Sequence, residues 1–227
     1  PQLVLMIAKH VDDIKVTGEP QEVALLMKEL EHVFGKLTVS KDELTNCGVH
    51  HKRHPDGSIT LDQNEYIQAL ILIKHPELSN PLDTPASEAL LSLYRSLLGA
   101  VAYTQLTQHQ MACFIVALQR VAHKLTVEDV KKLNIVIKKI KEKPVTLIFR
   151  PLENLELQEH LTIFSDAGFK KEEIDGYALR GAVYVRHAQN IINDNQAIMP
   201  SADAHILLAE SRSIKTVCRS TYAAELM

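Results

Sequence analysis

Asp12 and Asp13 stand side by side between two short β-rich runs, Leu3 to Ile7 and Ile14 to Thr17, so the sequence predicts a hairpin with two carboxylates at its tip. Adjacent acids on a tight turn can share hard divalent cations through oxygen. Acids also favour turns for their own sake, so the pair alone does not make a metal site. His50, His51, Lys52, Arg53 and His54 form a second polar run that could be read as a metal cluster. Strand alternation puts His50 and His54 on one face and His51 on the other, with no cysteine or acid expected to complete a set. A basic, partly exposed hairpin is the expectation there. Lys131, Lys132, Lys138, Lys139, Lys141 and Lys143 flank the apolar stripe of one helix, a density that suits a phosphate backbone as well as a solvated face.

These residues must be positioned by elements that the periodicity predicts. Pro20 opens an amphipathic helix to residue 34, with Val23, Leu26, Met27, Leu30 and Val33 on one side and Gly35 as its stop. Short strands are expected at Leu37 to Val39, Gly48 to His50 and Ser58 to Leu61, the last two joined through Asp56-Gly57. From Gln63 the period turns helical through Tyr66, Leu70 and Ile73, until Pro76, Pro81 and Pro85 impose an extended linker. Two apolar faces follow, Tyr94, Leu97, Leu98 and Val101, then Met111, Ile115, Leu118 and Ala122. Thr126 with Asp129 reads as a capping box that opens a helix with Val130, Leu133, Ile137 and Ile140 inward and Pro144 at its end. Beyond a boundary near residue 155, strands are expected at Leu161 to Phe164, Tyr177 to Val185 and His205 to Ala209, with a helix starting near Thr221.

With 227 residues, 46% of them hydrophobic, the chain is long enough to bury a core as one large or two small domains. A formal net charge of −3 means that any affinity for nucleic acid must come from a local cluster of cations. Cys47, Cys113 and Cys218 are too few and too far apart for a zinc site or a disulfide framework, which favours a reducing, intracellular setting. No apolar run approaches the roughly 20 residues that span a bilayer, so no membrane partner is expected. The start at Pro1, without an initiator Met, reads as a cut from a longer chain.

His10-Val11-Asp12-Asp13, within Lys9 to Gly18, resembles the Tyr-x-Asp-Asp hairpin of reverse transcriptases, with His10 where that family usually has Tyr. The segment from Leu44 through Asn46-Cys47-Gly48 to Asp56-Gly57-Ser58-Ile59 and Gln63-x-x-Tyr66-Ile67 is similar to the primer-grip hairpin and following helix of copia-type retrotransposons. There Asn46-Cys47-Gly48 replaces the usual Phe-Leu-Gly. Thr84-Pro85, Tyr94-Arg95-Ser96-Leu97-Leu98-Gly99, Tyr103 and His123-Lys124 resemble the same family's connection region. Ser165-Asp166-Ala167, Gly181 and Ser220-Thr221-x-Ala223-x-Glu225 resemble the start of its ribonuclease H domain.

The resemblance to the copia-type Pol polyprotein implies an α+β chain in three parts. These are the C-terminal part of a reverse transcriptase palm (1–62), a helical thumb or connection region (63–150) and the N-terminal part of a ribonuclease H-like domain (151–227). It implies Asp12, Asp13, Asp166 and Glu225 as catalytic and metal-binding carboxylates for Mg2+ or Mn2+, and Lys131, Lys132, Lys138 and Lys139 as contacts to nucleic acid. The implied partners are an RNA/DNA template-primer, deoxynucleoside triphosphates in the parent protein and the rest of the polyprotein. The implied location is a cytoplasmic particle or the nucleus. Further carboxylates of both sites belong upstream and downstream in the family, so the chain by itself is expected to be inactive. The alternative is a decayed or domesticated remnant that acts as a non-catalytic nucleic-acid-binding or interaction protein.

Overall fold

Gly18 has to be a glycine because the backbone of Val4 and Leu5 passes close beside it, and a Cβ would sit 2.4 Å from the carbonyl oxygen of Val4. It closes the hairpin of β1 (Leu5–His10) and β2 (Asp13–Gly18), in which Leu5 pairs with Gly18 and His10 with Asp13. The structure is a computed structural model, and it describes residues 3–11, 13–151, 160–168, 177–187 and 204–217. Pro20 supplies the first position of α1 (Pro20–Phe34), and the N–H of Gly35 donates to the Glu31 carbonyl at its end, as the sequence leads one to expect. The apolar stripe of α1 has no fully buried residue, and Met6, Ile7 and Val11 of the hairpin are also exposed.

The strand expected at Leu37 to Val39 does not form. The first strand of the next sheet is β3 (Glu43–Asn46), which pairs with β4 (Val49–Arg53) across the two-residue turn Cys47-Gly48. Both turn residues have positive φ, 49° and 68°, the combination that a tight hairpin with right-twisted strands needs. Such a turn fixes the register, so the strand able to pair is the one directly before it, and Gly48 belongs to the turn instead of β4. β5 (Ile59–Asp62) follows through a turn in which Asp56 accepts hydrogen bonds from the Ser58 backbone at 2.9 Å and hydroxyl at 2.7 Å. The fourth strand, β6 (Leu147–Phe149), comes from far along the chain and pairs with β5. That pairing ties the expected first region to the end of the second.

The helical core lies between β5 and β6 in sequence. α2 (Asn64–Ala69) stops short of the expected face, and Leu70 to His75 run extended. Ile73 is still buried, because its backbone N–H and carbonyl both bond the side-chain amide of Asn134, each at 2.9 Å. A side chain that satisfies both backbone groups removes the need for a helical partner. α3 (Glu88–Tyr103), α4 (Ala112–Val121) and α5 (Val127–Glu142) pack around Ile67, Leu90, Tyr94, Ile115, Leu133 and Ile137, all fully buried. Tyr94 donates to the Leu118 carbonyl at 2.8 Å, and burial pushes its hydroxyl well above the usual tyrosine range. The Asp129 carboxylate accepts from the Thr126 backbone at 3.1 Å and hydroxyl at 2.7 Å, so the expected cap of α5 is present.

A third sheet consists of β7 (His160–Gly168), β8 (Tyr177–His187) and β9 (Ala204–Val217), antiparallel in that order. All three run longer than the sequence suggests, and Asp166 pairs with Gly181, which in turn pairs with Ser211. The sheet meets the helical region where the backbone N–H of Arg150 donates to His205 Nε2 at 3.1 Å and the Phe149 ring lies edge-on to the same imidazole. The fold class is α+β, with three small antiparallel sheets. No described helix is long and apolar enough to cross a membrane. The helix expected near Thr221 lies outside the described residues.

Candidate functional site

Asp13 is the first residue of β2, exposed, and directly follows the tip of the hairpin. Its Oδ2 accepts a hydrogen bond of 3.1 Å from Nδ2 of Asn46, the last residue of β3. The neighbouring Cys47 places its Sγ 3.2 Å from Nδ1 of His10, and Nζ of Lys15 lies 3.0 Å from Nε2 of His51. The β1–β2 hairpin therefore rests against the β3–β4 hairpin through three side-chain pairs, two of them between the tip and the turn. The turn is anchored from its other side by the Tyr103 hydroxyl, which donates to the Cys47 carbonyl, and by the Tyr66 ring, which would be 3.4 Å from a Cβ on Gly48. None of these pairs was legible in the sequence, where the partners are 33 to 56 residues apart. Asp12 lies outside the described residues.

Among the described residues, the donor set at this tip is one hard, exposed carboxylate with softer imidazole and thiol groups beside it. An exposed carboxylate with one oxygen hydrogen-bonded suits Mg2+ or Mn2+, which take oxygen ligands and keep several waters. Among the described residues no group of three or more His, Cys, Asp or Glu side chains converges as a metal site. Cys47 and Cys113 are both free thiols.

The histidine run does not form a metal cluster, but acids do flank it, contrary to the expectation. His50 sits on the central strand with Nδ1 3.1 Å from Asp62 and Nε2 3.1 Å from Glu43, and Lys52 adds a 3.0 Å ion pair to Glu43. The hydrogen bond to Asp62 holds the imidazole above its ordinary 6.5, and the bond from Lys52 holds Glu43 below its ordinary 4.5. His51 faces the other way, and its burial, with Lys15 adjacent, holds it below the ordinary value. A raised imidazole pKa contributes stability that is complete below the unfolded value and fades as pH climbs through the folded one. A lowered carboxylate contributes above its unfolded value and fades on acidification. The triad therefore stabilises the sheet most between about pH 4.5 and 6.5. Urea titrations of wild type and His50→Gln should show a wider stability gap near pH 5.5 than near pH 8. A gap that stays constant, or widens in alkali, contradicts this reading. His51→Gln should show the opposite trend.

The helix lysines divide. Lys132 pairs with Glu128 at 3.1 Å and Asp129 at 3.8 Å, Lys139 with Glu142 at 2.9 Å, and Lys141 donates to the Gln68 carbonyl at 2.9 Å. Lys131 and Lys138 have no ion-pair partner among the described residues, so of the four lysines assigned to nucleic acid these two present uncompensated charge.

Asp166 lies on β7, exposed, with its Oδ1 accepting from the next backbone N–H at 2.9 Å. It borders a cleft of about 410 Å3 between the third sheet and the start of α4, together with His109, Cys113, Gly181, Glu210 and Ser211. Register sets Asp166, Gly181 and Ser211 side by side across three strands, and the missing side chain at Gly181 leaves the space between the other two open. Glu210 is taken up by Arg212 at 2.7 Å. Burial holds the His109 imidazole below its ordinary value. Glu225 lies outside the described residues. Compared with protein-family models, curated proteins and solved structures, the chain finds no match in any of the three.

Proposed function

We propose that this chain is part of a retrotransposon RNA-directed DNA polymerase with attached ribonuclease H, of the copia type. The observation that carries the reading is the hairpin tip, where Asp13 stands exposed beside a second hairpin whose turn touches it through Asn46 and Cys47. Asp12 and Asp13 are assigned to hold Mg2+ or Mn2+ against the triphosphate of an incoming deoxynucleotide, and Asp166 with Glu225 to a second site for cutting the RNA strand. A divalent cation supplies charge neutralisation at the phosphoryl oxygens and a more acidic nucleophile. The residues of this chain supply position: β1 and β2 set Asp13 at the edge of a tight turn, and the first strand of the third sheet presents Asp166 at an exposed point. Catalysis is assigned to the parent polyprotein, with the present chain inactive alone.

The partner is an RNA/DNA template-primer, and Lys131 and Lys138 are the residues assigned to its phosphates. A protein that neutralises phosphates releases counterions, so each lost contact weakens binding and flattens the salt dependence by about one unit of slope. Fluorescence anisotropy with a labelled RNA/DNA hybrid should show binding at low salt. Lys131→Glu with Lys138→Glu should weaken it about tenfold or more and lower the salt slope by about two. Equal binding by the double variant, or no binding by the wild type at low salt, would remove the assignment. A second reading, a non-catalytic remnant that binds nucleic acid, is favoured by one observation. Two of the three residues that depart from the family pattern, His10 and Cys47, touch each other at 3.2 Å. Hybrid binding without any Asp13-dependent metal binding is its signature.

A further inference from the structure

We infer that Asn46 is a positioning residue for Asp13, and that the β3–β4 turn sets the carboxylate geometry of the hairpin tip. This rests on the reading of the tip as a divalent-cation site. A carboxylate on a two-residue hairpin is free to rotate about χ1 and χ2, and an exposed Asp gains nothing from packing to hold it. Asn46 supplies the missing restraint: its amide N–H occupies Oδ2 of Asp13 at 3.1 Å, and Oδ1 has no hydrogen-bond partner among the described residues. Hydrogen bonds to a ligating carboxylate orient it and cut the ordering cost of binding, and their loss costs about 10–100-fold in metal affinity.

Asn46 is itself held. It ends β3 opposite Val49, half-buried, and the next residue is fixed twice, by the Cys47 thiol against His10 and by the Tyr103 hydroxyl on the Cys47 carbonyl. Tyr103 is the last residue of α3, whose preceding turns belong to the main core. A continuous chain of contacts thus runs from the helical core through the turn to the hairpin tip, while the hairpin's own residues are exposed except for the half-buried Leu5, Lys15 and Val16. The tip takes its position from the turn and not from packing of its own.

The test uses the full chain and Mn2+ alone, with bound metal read from water proton relaxation and from the electron paramagnetic resonance of free Mn2+. Asp13→Asn defines the Asp13-dependent binding. Asn46→Leu removes the donor at nearly constant volume and should weaken that binding about tenfold. Asn46→Gln, which keeps an amide one methylene further out, should recover part of the loss. Adding Asn46→Leu to Asp13→Asn should have no further effect. Asn46→Ala stands in if the leucine variant fails to give a cooperative melt. Wild-type Mn2+ affinity in Asn46→Leu, with Asp13→Asn impaired, would overturn the positioning role and leave the site intact. Mn2+ binding indifferent to Asp13→Asn would overturn the site itself and the inference with it.

Discussion

Gln108→Leu should lower the unfolding free energy by about 3 kcal/mol, although leucine nearly matches glutamine in volume. Gln108 has no exposed surface and sits in a short loop between α3 and α4. Its Nε2 donates to the Thr107 hydroxyl at 3.1 Å and to the Val145 carbonyl at 3.0 Å, while its Oε1 accepts from the Val145 backbone at 3.0 Å and from Gln110 at 3.1 Å. Thr107 passes the chain on to Gln63, which donates to the Tyr103 carbonyl at 3.3 Å. Leucine cannot serve any of these groups, and each one stranded away from water costs about 1–3 kcal/mol. Val145 leads directly into β6, so the same change loosens the strand that completes the second sheet. Guanidinium denaturation measures the loss, with Gln119→Ala, exposed on α4 and outside the network, as the neutral control. A change below about 1 kcal/mol would show that the network is not a structural unit.

Much of the helical core was legible because burial imposes a period of 3.6 that few other constraints disturb. Tyr94, Leu98, Val101, Ile115, Leu133 and Ile137 fall where the spacing puts them, and Thr126 with Asp129 announces the start of α5. The spacing failed where a polar side chain replaced the helix as the partner of the backbone. Ile73 follows the helical period yet lies in an extended run, because Asn134, 61 residues later, satisfies both its backbone groups. It failed again at Leu37 to Val39, a β-rich triplet that the register set by the Cys47-Gly48 turn leaves without a partner strand.

The site was legible in outline only. Adjacent acids between two short strands announce a hairpin tip, and Asp13 directly follows it as the first residue of β2. The residues that hold the tip, Asn46, Cys47 and Tyr103, carry no local signal, since an asparagine before a Cys-Gly turn has many uses. The acids beside His50 were likewise hidden, because Glu43 and Asp62 belong to strands whose register sequence alone does not fix. The β-sheet parts of the chain are therefore where sequence reading gave out, and strand pairing over long separations is the reason.

The second large effect is expected at Asp13 itself. Loss of an outer partner of a metal-bound carboxylate costs about 10–100-fold in affinity, so loss of the ligand should cost at least about a hundredfold. The direct measurement is backbone cleavage by Fe2+ with ascorbate and peroxide, in which iron at a Mg2+ site cuts the chain next to it. The account predicts cuts around residues 10 to 14 and at the Asn46–Cys47 turn beside them, suppressed by excess Mg2+ and abolished in Asp13→Asn. Cleavage spread evenly along the chain, or cuts at the tip that persist in Asp13→Asn, would contradict it.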